Sequence, residues 1–300
     1  MRNPLRRLSG GSLVLLAWSA SCFGVGTGTV PFELLDGHLV VVRGGIGELD
    51  DLRMVIDTGA GATVISRGVA KRLRLKGTPE SVRAFGQRIQ VRRVILPWIR
   101  LASWGVEKTP ALVQKLSGLA DGKIDVVVGI DLLRETPLTI DYSTQRISLG
   151  SADSKASWMA FYPGLPFVPL NVTVGDRSLR LKLDTGTGDL ILYKKRVEGK
   201  VQLRPRKQVQ HRTVLGGGSI QLVAVGIPAL LLGGSCWSNV EALLRDDDTG
   251  LNVAGNLGPL ALGLSRVVID FENGRFGWVA EGPSPEACRP QMAADPGAKP

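Results

Sequence analysis

Four landmarks occur twice, in the same order, along the 300 residues, and this repetition limits the available folds more than any local propensity. Arg53-Met54-Val55-Ile56-Asp57-Thr58-Gly59-Ala60-Gly61 has a partner in Arg180-Leu181-Lys182-Leu183-Asp184-Thr185-Gly186-Thr187-Gly188. Val126-Val127-Val128-Gly129 corresponds to Asn252-Val253-Ala254-Gly255. Ile140-Asp141-Tyr142 with Arg146 corresponds to Ile269-Asp270-Phe271 with Arg275, and Pro31-Phe32 with Leu35 to Pro166-Phe167 with Leu170. The offsets are 127, 126 and 129 residues (184 − 57, 255 − 129 and 270 − 141). A tandem duplication follows: two lobes of ordinary domain size, with no single large core required. The expected organisation is a leader over 1–27, one lobe over 28–155, a second over 156–281 and a disordered tail over 282–300.

Each copy reads as strands. Leu39–Val42 ends in Gly44-Gly45 and Leu170–Val174 in Gly175-Asp176, both turn signals. The next strand carries the aspartate: Leu52–Ile56 in the first copy, and Leu179–Leu183, with clear alternation, in the second. Gly59 and Gly186 follow, so each Asp-Thr-Gly is a tight loop at a strand end. One short helix is expected within 69–75, and residues 151–163 read as the link between copies.

Arg2, Arg6 and Arg7 precede an apolar run from Leu13 to about Val25, too short for a span of roughly 20 apolar residues. This is the pattern of a secretory signal peptide, with lipidation at Cys22 as the alternative, placing the protein outside the cell or in a periplasm with no transmembrane span once the leader is removed. In an oxidising compartment Cys236 and Cys288 are left either as one disulfide or as two free thiols.

Two histidines and three cysteines exclude a metal cage built from those residues and leave little for a nucleophile–histidine pair. Gly44-Gly45-Ile46-Gly47 lacks dinucleotide-loop spacing, and neither Gly218-Ser219-Ile220-Gln221 nor Gly234-Ser235-Cys236-Trp237 completes a nucleophile elbow. Carboxylates are the remaining tool. With two Asp-Thr-Gly loops, each followed by an apolar-apolar-Gly element, the chain resembles the aspartic protease superfamily of pepsin and retropepsin over roughly residues 30–280. The resemblance implies an all-β, bilobed fold with two pseudo-twofold related lobes, and Asp57 and Asp184 as a catalytic dyad. It implies that Thr58, Gly59, Thr185, Gly186 and Thr187 support that dyad, the hydroxyl of Thr187 reaching its own lobe's carboxylate. Two carboxylates held close share one proton, so one can activate a water while the other polarises a peptide carbonyl. Asp184 is the expected ionised member. No metal or other cofactor is required.

The family covers its cleft with glycine-rich hairpin flaps. Phe85 and Gly86 in the first copy, and Gly216, Gly217 and Ser219 in the second, fall at the right distance to be flap or substrate contacts. The chain carries 37 Lys and Arg against 27 Asp and Glu, a net charge of +10. Much of it lies just after each loop, in Arg67, Lys71, Arg72, Arg74 and Lys76, and again in Lys194, Lys195, Arg196 and Lys200. Two readings stay open: a solvated face, or a basic rim for acidic peptides or an anionic surface. Nucleic acid is not expected, for want of an aromatic stacking platform. The sequence therefore points to a monomeric endopeptidase acting on a peptide or protein. The alternatives are a proteolytically silent peptide- or envelope-binding protein on the same fold, or a dimer pairing its copies between chains.

Overall fold

The computed structural model describes residues 28–84, 87–150, 155–214, 218–246 and 250–280, so the expected leader, Cys22, the tail and Cys288 lie outside the described residues. Among the described residues the strands form three sheets. The first has eight strands in the spatial order Glu33–Leu35, Leu39–Ile46, Leu49–Ile56, Val126–Val128, Val64–Ser66, Trp104–Gln114, Gln87–Leu101 and Gly77–Ala84. The second has seven: Pro169–Val174, Arg177–Leu183, Gly255–Leu257, Leu190–Tyr193, Ser235–Arg245, Gly218–Leu232 and Arg204–Val214. From Leu39–Ile46 onward the two orders are the same, including one short parallel strand inserted beside the strand that ends at each aspartate.

The third sheet joins the halves. Gly28–Pro31, Arg146–Leu149 and Leu138–Asp141 come from the first half, and Leu264–Asp270, Arg275–Ala280 and Ser157–Ala160 from the second. The seam is the antiparallel pairing of Leu138–Asp141 with Leu264–Asp270. Across it Arg266 donates to Asp141 Oδ2 through Nε (2.9 Å) and a terminal nitrogen (2.6 Å). Burial alone would raise the Asp141 carboxyl, but bonds from Ser143, Thr144 and Arg266 outweigh it and hold the group at about 2. Asp270, its counterpart in the repeat, takes Arg275 of its own hairpin instead.

The principal apolar cluster is continuous through the halves and the seam, with Met54, Ile56, Val128, Ile140, Leu181, Leu183, Leu257 and Ile269 among its members. The lobes therefore share a core, although repetition alone would allow two separate ones.

Several local expectations are corrected. The first strand runs through Gly44-Gly45 to Ile46, and the chain turns at Gly47, whose φ is 56°. A Cβ at Gly44 would lie 2.6 Å from the Arg100 carbonyl, so that glycine serves close strand approach rather than a turn. Within the expected link, Ser157–Ala160 is a strand paired with Arg275–Ala280. The first helix is Arg67–Arg72, begun by Ser66, whose Oγ accepts from the Val69 amide at 3.1 Å. Its counterpart, Lys194–Val197, has Tyr193 in the capping position and no side-chain cap. No helix among the described residues is long and apolar enough to cross a membrane.

Candidate active site

Both aspartates leave the sheet in the same way. Leu49–Ile56 lies parallel to Val126–Val128, and the Asp57 amide donates to the Val128 carbonyl at 3.0 Å. Arg177–Leu183 lies parallel to Gly255–Leu257, and the Asp184 amide donates to the Leu257 carbonyl at 3.0 Å. A backbone group of the inserted strand thus anchors each loop at its first residue.

The two loops then lock to each other. The Thr58 amide donates to Thr185 Oγ1 (3.0 Å) and the Thr185 amide to Thr58 Oγ1 (3.1 Å). Each hydroxyl donates onward across the boundary, Thr58 to the Leu183 carbonyl (3.1 Å) and Thr185 to the Ile56 carbonyl (2.8 Å). Both threonines are fully buried, so a lost partner would leave groups that no water can satisfy. The glycines set the remaining distance. A Cβ at Gly59 would sit 2.2 Å from Asp184 Oδ1, and one at Gly186 would sit 2.8 Å from Asp57 Oδ1. Each glycine therefore lies against the opposite carboxyl, and only a residue without a side chain lets the aspartates share one site.

Within its own loop Asp57 Oδ1 accepts from the amides of Gly59 (2.8 Å) and Ala60 (3.1 Å). Asp184 Oδ1 accepts from the Gly186 amide at 3.0 Å. Thr187, the expected second donor to Asp184, instead uses its hydroxyl to accept from the Asp189 amide at 3.2 Å. The side-chain donor is Asn256, whose Nδ2 lies 2.7 Å from Asp184 Oδ2 while its Oδ1 accepts from the Tyr193 hydroxyl at 3.0 Å. Lys182 adds a cation: its ammonium donates to the Gly59 carbonyl at 2.8 Å and stands 3.8 Å from Asp184 Oδ2. Desolvation and the neighbouring Asp184 charge push the Asp57 carboxyl up to about 7, against a smaller downward pull from Lys182 and the two loop amides.

The register corrects one correspondence. Met54 faces Val126 and Leu181 faces Gly255, so Val126-Val127-Val128-Gly129 matches Gly255-Asn256-Leu257-Gly258, three residues beyond the segment the sequence pointed to. Both second-copy glycines are sterically required. A Cβ at Gly258 would lie 2.2 Å from the Thr187 carbonyl, and one at Gly255 would lie 2.0 Å from the Ile191 carbonyl. Apolar neighbours made Gly255 look like the match.

Lys182 and Asn256 were missed as site residues, although a signal existed. Strand alternation places 182 and 184 on one face, so a lysine two residues before the aspartate points to the same side. Asn256 was hidden by the misplaced glycine. Of the flap residues, Ser219 lies exposed in Gly218–Leu232 opposite Thr213, whereas Phe85, Gly86, Gly216 and Gly217 lie outside the described residues. Hairpin strands flank both of those segments, pairing Ala84 with Gln87 and Val214 with Gly218. Cys236 is disulfide-bonded; the other two cysteines lie outside the described residues.

Comparison with known proteins agrees with this architecture. Residues 42–132 match the family model described as aspartyl protease. The structure is similar to that of an aspartic proteinase from Irpex lacteus, at 15% identity and a TM-score of 0.52, over 86% of this chain and 98% of that one. At that identity the likeness concerns the all-β, bilobed fold. No curated protein matches the chain in sequence at a significant level.

Proposed function

We propose, from the match of residues 42–132 to the aspartyl protease model and from the bilobed all-β fold, that the chain is an aspartic-type endopeptidase with Asp57 and Asp184 as its catalytic dyad. The observation that carries the proposal is the position of each loop glycine against the opposite carboxyl, which brings two chemically equivalent acids from two lobes to one site. Such a pair cannot ionise twice cheaply, so it holds a single proton over a broad pH range.

The surroundings support a division of labour. Asp57, raised to about 7, is the acid that donates to the carbonyl oxygen of the scissile peptide. Asp184, beside the Asn256 amide and the Lys182 ammonium, is the base that takes a proton from the attacking water. Attack gives a tetrahedral gem-diol intermediate; the proton acquired by Asp184 passes to the leaving amine as the C–N bond breaks, and one diol hydroxyl returns its proton to Asp57. The threonine lock keeps the carboxyls fixed through these steps, so little reorganisation accompanies the transfer of charge. The substrate is a peptide or protein, the working place is the periplasm or the cell exterior, and one chain supplies both acids, so a monomer suffices.

The test is cleavage of a mixed peptide library, with and without pepstatin, between pH 3 and 9. Pepstatin-sensitive cleavage is expected, falling as pH rises through about 7. A folded protein that cleaves nothing at any pH would refute the proposal.

A further inference from the structure

The two halves differ most in what stands under the carboxyls. In the first half the facing pair is Val55 and Val127, both buried in a small apolar cluster with Val41 and Val64. In the second half the same register positions hold Lys182 and Asn256. The lysine side chain is 9% exposed, and a buried ammonium is tolerated only when paired. Its partners lie on opposite sides of the lobe boundary: the Gly59 carbonyl of the first loop and the Asp184 carboxylate of the second.

We propose that Lys182 is a positioning residue that fixes the negative charge of the dyad on Asp184 and sets the pH range over which the pair holds one proton. The argument is geometric. In a symmetric pair either carboxyl accepts the charge equally well, and the threonine lock here is symmetric. Lys182 and Asn256 both stand at Asp184, whereas the amides of Gly59 and Ala60 are the donors at Asp57. A cation on one side breaks the degeneracy of the pair. Its charge pulls Asp57 downward, against burial and the charge of Asp184.

Among the described residues, these groups face Lys182. Asp57 and Asp184 come from the two loops. Asn256 stands on the parallel neighbour, with Tyr193 behind it. Pro169, on the antiparallel neighbour, brings no charge, and Arg180, two residues back on the same face, is exposed. The catalytic consequence rests on the dyad reading above; the electrostatic one does not.

The test is a 13C titration of the aspartate carboxyls in the full chain, with D57N and D184N for assignment. It compares wild type with K182M, K182Q and K182R. K182Q keeps a polar side chain with an N–H donor, one atom shorter, and removes the charge, so it decides the matter if K182M folds poorly. Both neutral variants should move the dyad's two titration steps up by about one unit or more, with K182R close to wild type. The alkaline limb of kcat/KM should move with them, which a purely structural role would not produce. Unmoved titration in folded K182M or K182Q would overturn the inference. The titration needs no substrate: shifted carboxyls without peptide cleavage would sink the endopeptidase reading alone, and cleavage with unmoved carboxyls would sink this one alone.

Discussion

The loops of the two halves are alike in their backbone and unlike in their support. Each aspartate is anchored through its amide to an inserted parallel strand, and each threonine bonds the other loop in the same two ways. Beneath that symmetry one half is packed with valines and the other with a lysine and an asparagine. The backbone is what positions a pair of acids, so it is duplicated. The proposed chemistry needs one acid and one base, and symmetry ends at the side chains below.

The symmetric part should break most severely at the glycines. G59A and G186A each place a methyl group against the opposite carboxyl and should each lower kcat/KM about a hundredfold or more, G59A the further because its Cβ would come closer, 2.2 Å against 2.8 Å. Steady-state kinetics on one peptide checks the order. The threonine lock comes next. T58V and T185V keep the shape and leave buried partners unsatisfied, so each should cost about 1–3 kcal/mol in urea unfolding, the two nearly equal. A large inequality would show that the lock is less symmetric than its distances.

The asymmetric part shows in pH dependence. The Asp57 carboxyl is raised in the fold, so its contribution to stability is fully present below its unfolded value of about 4 and is lost as pH rises through about 7. Thermal unfolding of wild type should therefore weaken over that interval relative to D57N, in which no proton is left to lose. Asp141 runs the other way. Lowered in the fold, it contributes above its unfolded value, and that contribution is lost as pH falls through about 2. The smallest effect belongs to the helices after the loops: S66A should cost about 1 kcal/mol by removing the cap of Arg67–Arg72, with no equivalent loss available at Tyr193.

Much of this was legible in the sequence because the repeat aligned the two Asp-Thr-Gly loops, and their roles follow from small, local requirements. Alternation in 179–183 gave the strand, and Gly59 and Gly186 marked the loops. What escaped depended on contacts between distant segments. Gly44-Gly45 resembles a turn until Arg100 is seen to approach it. Ser157–Ala160 is a strand only because Arg275–Ala280 lies beside it. Gly255 and Gly258 both answer to steric need, and only the parallel register with Arg177–Leu183 tells which one matches Gly129. Asp141 and Asp270 hold matching places in the repeat, yet Asp141 is met by Arg266 across the seam and Asp270 by Arg275 of its own hairpin.

The central claim is that two carboxyls from two lobes act as one catalytic unit. Cleavage of a single library-derived peptide by wild type, D57N and D184N, with thermal unfolding of each, tests it most directly. Both variants should stay folded, with little change in stability below about pH 4, and lose cleavage by about a thousandfold or more, because neither acid works without the other. Substantial cleavage by either folded variant would contradict the account.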